Sequence, residues 1–163
     1  MSMLSIAGIE QNSIVDGPGV RFVIFTQGCH HHCDGCHNPQ TWDFTRYQLV
    51  DTDDIFMRIA ADPIITGVTF SGGEPYAQWR ELVPLARKLK DTGYNLWAYT
   101  GFTWAHIHDN PLTKLMDVVV DGPFIQELKT LDTPFRGSSN QRLIDVQRSI
   151  RAGFPISFSV EER

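Results

Sequence analysis

Cysteine is scarce in this sequence, and the few cysteines present are crowded together. The 163-residue chain has three, Cys29, Cys33 and Cys36, all inside "TQGCHHHCDGCHNPQTW". An odd number of clustered thiols does not suit a disulfide framework. The first residues, "MSMLSIAGIEQNSIVDGPG", also lack the basic segment and long apolar run of a secretory signal. We therefore expect a cytoplasmic protein whose clustered cysteines are metal ligands or catalysts.

Excess positive charge and long apolar runs are also missing. Lys and Arg number 14 against 19 Asp and Glu, which gives a formal net charge of −5. Nucleic acids and membrane surfaces usually bind basic faces, so a general binder of either is excluded. No segment approaches the run of about 18 apolar residues that a transmembrane helix needs. Without repeats or long linkers, the length predicts a single domain over residues 1–163.

Short runs of β-branched and aromatic residues predict buried strands. They are "VRFVIFTQGC" (20–29), "GVTFSGGEP" (67–75), "YNLWAYTGF" (94–102), "DVVVDGPF" (117–124) and "PISFSV" near the end of the chain. Helical patterns separate several of them. The first predicted helix starts at the Asp51-Thr52-Asp53 caps. The second lies in "QWRELVPLARKLKDTG", where Pro84 predicts a kink or a delayed start. The third lies in "SNQRLIDVQRSIRAG", which begins with a Ser/Asn cap and stops at Gly153.

The alternation of strands and helices predicts an α/β fold with a parallel sheet. A complete (β/α)₈ barrel needs about 250 residues, so we expect an open partial barrel of five to six parallel strands. Unusual residues follow the predicted strands, namely Cys29, Gly72-Gly73-Glu74, Thr100-Gly101 and Asp121. Because the carboxyl ends of parallel strands meet at one face, these segments predict one shared site.

The C-x₃-C-x₂-C spacing can bring three thiolates to one metal or cluster. Iron–sulfur clusters normally take four cysteines, so a [4Fe–4S] cluster here would keep one iron open to a small molecule. Three alternatives remain open at this point. They are a structural Cys₃His zinc site using His30, His31, His32 or His37, a haem attached at "CDGCH", and a C-x-x-C redox pair. The last two leave Cys29 unexplained.

The segment "SGGEP" (71–75) has two interpretations. In the first it is a turn into the next helix, with Glu74 at the helix start. In the second the two glycines let the backbone approach a ligand, and the Glu74 carboxylate grips an amine.

Taken together, the cysteine motif after the first predicted strand and "GGEP" after the second resemble the radical S-adenosylmethionine superfamily. The resemblance implies that Cys29, Cys33 and Cys36 hold a [4Fe–4S] cluster whose open iron binds the amino and carboxylate groups of S-adenosylmethionine. It also implies that the cofactor is cleaved to a 5′-deoxyadenosyl radical. The amino end of the cofactor would then be held by the second segment, Ser71, Gly72, Gly73 and Glu74.

Longer stretches are similar to a narrower group, the glycyl-radical-enzyme activases. They are "VDGPGVRFVIFTQGC" (15–29) and "CHNPQTW" (36–42). Within that group, the small activators of anaerobic ribonucleoside-triphosphate reductase fit best in length, and "DVVVDGPFIQELK" (117–129) and "FRGSSNQRLIDV" (135–146) also resemble them. The resemblance covers about residues 6–150. It implies abstraction of a glycine hydrogen from that reductase, with electrons from a flavodoxin or ferredoxin-like donor.

The same resemblance implies roles for residues further along the chain. Thr100 and Asp121 would lie near the carboxylate of S-adenosylmethionine, with a monovalent cation beside Asp121. Asn140 and Arg142 would contact S-adenosylmethionine or the glycyl loop of the partner, although a helix cap and a surface base explain them equally well. Gly35 stands where the superfamily often has an aromatic residue, which leaves His37 or Trp42 as candidates for the adenine contact. Asp16 is expected to be a turn residue that shapes the entrance.

Three other functions fit less of the sequence. They are an activase of the pyruvate formate-lyase type, whose members are longer, a radical enzyme acting on a small molecule, and a non-catalytic metal-binding module.

Overall fold

The structure is a computed structural model that describes residues 2–29, 48–130 and 135–159. Its strands are β1 (Met3–Ser13), β2 (Arg21–Thr26), β3 (Gln48–Asp51), β4 (Gly67–Gly72), β5 (Asn95–Tyr99), β6 (Val118–Asp121) and β7 (Arg142–Asp145). Its α-helices are α1 (Thr52–Ala60), α2 (Trp79–Thr92), α3 (Trp104–Ile107) and α4 (Val146–Ala152). Three short 3₁₀ helices cover Pro75–Gln78, Thr113–Leu115 and Gln126–Leu128. No helix in these ranges is long and apolar enough to cross a bilayer.

The strands form one open sheet with the order β3-β1-β2-β4-β5-β6-β7. The four central strands β2, β4, β5 and β6 run parallel, whereas β1, β3 and β7 pair antiparallel at the two sides. The α/β class with an open sheet is therefore confirmed. The described ranges contain four parallel strands, compared with the five to six that the sequence predicted.

The main core lies between one face of the sheet and the helices. Helix α1 begins at Asp51, whose carboxylate accepts a hydrogen bond from Asp53 N at 2.9 Å, and it buries Ile55 and Ile59 against the sheet. Helix α2 buries the apolar face that the sequence predicted and ends at Gly93, which adopts φ +104°. It begins at Trp79, so Pro84 in its second turn does not delay its start.

Several predicted elements differ from the observed ones. The last apolar run, "PISFSV", forms one isolated bridge between Ser157 and Ile144 instead of a strand. The prediction of a helix that begins at the Ser/Asn cap is also wrong for the first half of that segment. Residues Arg142–Asp145 pair with β6 as a strand, and α4 starts only at Val146, capped by the Asp145 carboxylate. Strands β1, β3 and β7 were not predicted.

Arg21 anchors the amino edge of the sheet, far from the predicted site. It is 1% exposed, and its five N–H groups donate to Thr69 Oγ1, Pro18 O, Val68 O, and both the side chain and backbone of Asn95, at 2.8–3.0 Å. Burial lowers the pKa of the Arg21 guanidinium to about 10. A fully satisfied buried cation of this kind holds the strands together without a carboxylate partner.

Candidate active site

The carboxyl ends of the four parallel strands bring the predicted site segments to one edge of the sheet. Cys29 follows β2, Glu74 follows β4, Thr100 follows β5, and Asp121 ends β6. All four residues are buried. The convergence expected from the strand pattern is therefore present in the fold.

The loops after β2 and β4 are joined backbone to backbone. Gly73 N donates to Thr26 O at 2.8 Å, and Glu74 N donates to Gly28 O at 2.7 Å. A Cβ on Gly73 would lie 2.8 Å from the Gly28 carbonyl carbon and closer still to its oxygen. A Cβ on Gly72, which has φ +94°, would lie 2.5 Å from Thr26 N. The two glycines thus permit close contact between two loops of the protein itself, which the ligand-based interpretation did not anticipate.

The Glu74 carboxylate fastens the β4 loop to the β5 loop. Its oxygens accept hydrogen bonds from Thr100 Oγ1 at 2.8–2.9 Å, from Gly101 N at 2.8 Å and from Tyr76 N at 3.1 Å. Glu74 is 2% exposed. A buried carboxylate that accepts this many hydrogen bonds holds the two loops at a fixed separation.

The β5 loop is fastened in turn to the end of β6. Thr100 N donates to Val120 O at 3.0 Å, Gly122 N donates to Phe102 O at 2.9 Å, and Trp104 N donates to Asp121 Oδ2 at 2.8 Å. Hydrogen bonds therefore run without a break from Gly28, next to Cys29, across three loops to Asp121.

Asp121 and Arg142 form an ion pair at the far end of this chain of contacts. Arg142 Nε donates to Asp121 Oδ1 at 3.0 Å, and Arg142 Nη2 donates to Asp121 Oδ2 at 2.6 Å. The hydrogen bonds with Asp121 raise the pKa of the Arg142 guanidinium. The Asp121 side chain is 2% exposed, whereas the Arg142 side chain is 50% exposed. Arg142 therefore presents a positive charge at the surface of the site.

Asn140 and Ser71 lie at the same edge of the sheet. Asn140 Nδ2 donates to Pro123 O at 2.9 Å, and its buried Oδ1 has no hydrogen-bond partner within the described ranges. Asn140 is not a helix cap, because β7 separates it from α4. Ser71 is half-buried, and its carbonyl accepts a hydrogen bond from Thr26 Oγ1 at 3.1 Å.

Several sequence-predicted residues lie elsewhere or outside the described ranges. Those outside are Cys33, Cys36, His30, His31, His32, Gly35, His37 and Trp42. Asp16 lies in the turn before β2, at the amino edge of the sheet, where its backbone carbonyl accepts from Thr69 Oγ1 and its carboxylate accepts from Ser13 Oγ. It is a turn residue, as predicted, but it lies at the edge opposite Cys29, so its expected place at the entrance to the site is wrong.

Sequence reasoning missed the groups that connect the loops. They are Gly28 O, Gly101 N and Trp104 N, which are backbone atoms and carry no side-chain signal. The signal that was available is glycine itself, since Gly72 and Gly73 mark a place where two backbones meet.

The donor set fits an iron–sulfur cluster. Cysteine thiolates are the usual ligands of such clusters, and the sequence concentrates its three thiols in the segment that starts at this edge. Cys29 is 8% exposed, and the adjoining Gly28 carbonyl is fixed by Glu74 N. The first cysteine of the motif therefore starts from a rigid position.

Comparison with known proteins agrees with this arrangement. The sequence model of a family described as a 4Fe-4S single cluster domain matches residues 15–144. The fold is similar to that in the crystal structure of QueE from Escherichia coli, with a TM-score of 0.54 and 20% sequence identity, over 62% of this chain and 54% of that chain. This second likeness concerns the fold alone.

Three relatives bear the name anaerobic ribonucleoside-triphosphate reductase-activating protein. The protein from Vibrio cholerae is 36% identical over 138 residues, covering 78% of this chain and 89% of the relative. The protein from Enterobacteria phage T4 is also 36% identical, with 79% and 86% covered. The protein from Escherichia coli K12 is 32% identical, with 78% and 90% covered. With cysteines, strand-end loops and relatives in agreement, the chain belongs to the family of anaerobic ribonucleoside-triphosphate reductase-activating proteins, within the 4Fe-4S single cluster domain family.

Proposed function

We propose that this protein is a radical S-adenosylmethionine enzyme that places a glycyl radical on anaerobic ribonucleoside-triphosphate reductase. The observation that carries the proposal is the direct bonding of the segment leading to Cys29 to the segment carrying Glu74, through Glu74 N and Gly28 O. This contact puts the start of a three-thiol motif beside a polar, glycine-rich loop, in a chain whose relatives are named as activators of that reductase.

In this proposal Cys29, Cys33 and Cys36 hold a [4Fe–4S] cluster and leave one iron for S-adenosylmethionine. When both are bound, the cluster supplies an electron and the cofactor supplies the 5′-deoxyadenosyl radical that removes a glycine hydrogen. The protein's part is to bind, orient and shield these groups. A flavodoxin or ferredoxin-like protein is the proposed electron donor.

The Ser71–Glu74 segment is proposed to hold the amino end of S-adenosylmethionine. Ser71, Gly72 and Gly73 are half-buried and so remain within reach of a ligand. The Glu74 carboxylate is already bonded to Thr100 and Gly101, so it contributes negative charge and a fixed loop position in addition to any direct contact. Because the loop is rigid, its contacts with the cofactor orient the cofactor before reaction.

Thr100, Asp121, Asn140 and Arg142 are proposed to surround the carboxylate end of the cofactor. Thr100 fixes the loop through Glu74, and Arg142 offers positive charge. The monovalent cation expected beside Asp121 would have to share that carboxylate with Arg142 Nε and Nη2. We propose that residues 1–163 act as a single domain, with the open side of the sheet admitting a loop of the reductase.

Electron paramagnetic resonance on anaerobically reconstituted, reduced protein tests the first half of the proposal. We expect a [4Fe–4S]⁺ signal that changes shape when S-adenosylmethionine is added. Replacing Cys29, Cys33 or Cys36 singly by Ser should abolish the signal. Lys88→Gln, at an exposed surface ion pair, is the control that should keep it. Colourless protein with one zinc per chain would replace the radical proposal with a structural metal site.

The second half is tested with purified anaerobic reductase. We expect a glycyl-radical doublet on the reductase that needs this protein, S-adenosylmethionine and a reductant together. If S-adenosylmethionine is cleaved at the same rate without the reductase but in the presence of a small substrate, the enzyme acts on a small molecule. If another glycyl radical enzyme is activated and the reductase is not, the partner assignment is wrong.

A further inference from the structure

The Asp121 carboxylate is already paired with a positive charge of the protein, the Arg142 guanidinium. Its oxygens accept hydrogen bonds from Trp104 N at 2.8 Å, from Arg142 Nε at 3.0 Å and from Arg142 Nη2 at 2.6 Å. The carboxylate is buried and engaged on both oxygens. The two bonds from Arg142 form the bidentate geometry that guanidinium and carboxylate groups prefer.

This arrangement does not suit a bound metal cation. A cation needs several oxygen ligands, yet both oxygens of Asp121 already accept hydrogen bonds from Trp104 N and the Arg142 guanidinium. The other buried carboxylate of the site, Glu74, is occupied by Thr100, Gly101 and Tyr76. A cation at Asp121 would also lie against the Arg142 guanidinium, and like charges at such separations repel. The expected monovalent cation therefore does not fit this site.

We propose that the Arg142 guanidinium is the built-in cation of this site, so that S-adenosylmethionine binds without a monovalent metal ion. The inference rests on the proposed function. Arg142 comes from β7, which pairs with β6 in the register that sets Asp121 opposite Arg142. Antiparallel pairing thus delivers the cation to the carboxylate directly.

The Arg142 guanidinium has N–H groups that Asp121 does not use. Asp121 uses Nε and one N–H of Nη2, which leaves three of the five guanidinium N–H groups for another acceptor. The side chain is 50% exposed, so these donors are accessible to an incoming anion. A carboxylate such as that of S-adenosylmethionine has the geometry that such donors recognise.

The wild-type protein gives the first test. The Kd for S-adenosylmethionine is measured on anaerobic, cluster-loaded protein by titrating the change in its EPR signal. Parallel titrations use potassium chloride or tetramethylammonium chloride at equal ionic strength. We expect the two Kd values to agree within about twofold, whereas a Kd at least about tenfold weaker without potassium would overturn the inference. No binding in either salt would instead refute the proposed function.

Variants give the second test. Arg142→Gln leaves the buried Asp121 charge without its partner, so we expect binding about 10- to 100-fold weaker in tetramethylammonium, with recovery in potassium. The double variant Arg142→Gln/Asp121→Asn should lose this recovery, because the charge that attracts potassium is gone. Arg142→Lys keeps the positive charge and should need no potassium. Arg151→Gln, on the exposed end of α4, is the matched control and should resemble wild type.

Sodium NMR tests directly whether a monovalent cation binds. ²³Na line broadening by bound sodium should appear with Arg142→Gln and be absent with wild type and with the double variant. The same broadening with the wild-type protein would overturn the inference.

Discussion

Gly73→Ala should separate the two loops on which the site is built. The new methyl group would lie 2.8 Å from the Gly28 carbonyl carbon and closer to its oxygen, and both are backbone atoms that cannot rotate away. Relief requires the Ser71–Glu74 segment to move from the Thr26–Cys29 segment. Such a movement breaks the bonds from Gly73 N to Thr26 O and from Glu74 N to Gly28 O.

The cost of this substitution follows from the broken contacts. Two hydrogen bonds at about 0.5–1.5 kcal/mol each contribute about 1–3 kcal/mol. Overpacking adds about 1–3 kcal/mol, so the free energy of unfolding should fall by about 2–6 kcal/mol. At about 3 °C per kcal/mol for a domain of this length, Tm should fall by about 6–18 °C.

The assay is thermal unfolding of the cluster-loaded protein, followed by circular dichroism, with iron and sulfide measured per chain. Gly8→Ala is the matched control, because a Cβ at Gly8 in β1 would meet no atom within 4 Å. We expect Gly8→Ala to match wild type and Gly73→Ala to lose both stability and cluster. A Gly73→Ala protein with wild-type Tm and wild-type iron content would refute the reasoning that these glycines serve loop-to-loop contact.

Three further substitutions test buried polar residues elsewhere in the fold. Glu74→Gln replaces the buried carboxylate by an amide whose NH₂ group faces other hydrogen-bond donors. The free energy of unfolding should therefore fall by about 1–3 kcal/mol, and the EPR response to S-adenosylmethionine should weaken. Unchanged values for both would contradict the role of Glu74 in holding the two loops together. Arg21→Lys offers three donors where five are used, and it should lower Tm by several degrees without loss of iron, whereas Arg151→Lys on the exposed end of α4 should not. Burial raises the pKa of the Tyr76 phenol above its ordinary value of about 10, so the folded state keeps a proton that the unfolded state releases. The stability from this phenol is therefore complete below about pH 10 and is lost as the pH rises above it, and urea unfolding from about pH 9 to 11 should be less pH-dependent for Tyr76→Phe than for wild type.

The central strands were predictable because their composition matches their environment. Strands β2, β4, β5 and β6 are short and mostly buried, and burial on both faces favours continuous apolar runs. Strands β2, β4 and β6 are rich in β-branched residues, whereas β5 has Leu96, Trp97 and Ala98 at its centre. The side strands do not have this signature. Strand β1 carries Gly8 and a polar second half, and its register with β2 shifts twice, which removes the alternation that marks a half-buried strand.

The error at β7 has a different cause. "RLID" is four residues long, and a run of that length fits a helix and a strand equally well. Its pairing with β6, from Val118 opposite Asp145 to Asp121 opposite Arg142, decides the outcome. That information lies in the tertiary structure, and the Asp121–Arg142 ion pair depends on it.

A site made from the ends of separate strands needs contacts that hold its loops to each other. For this reason the position of the "SGGEP" segment was predictable from the sequence, whereas the contacts that its residues make were not. Sequence reasoning assigned Gly73 and Glu74 to a ligand because glycines and carboxylates are common around ligands. In the fold both first serve other loops, with Gly73 against Gly28 and Glu74 against Thr100. The two assignments are compatible, since a loop fixed by its neighbours meets a ligand with less loss of conformational freedom than a mobile one. Substitutions at these residues should therefore lower stability and cofactor affinity together, whereas a residue that only contacts the cofactor should change affinity alone.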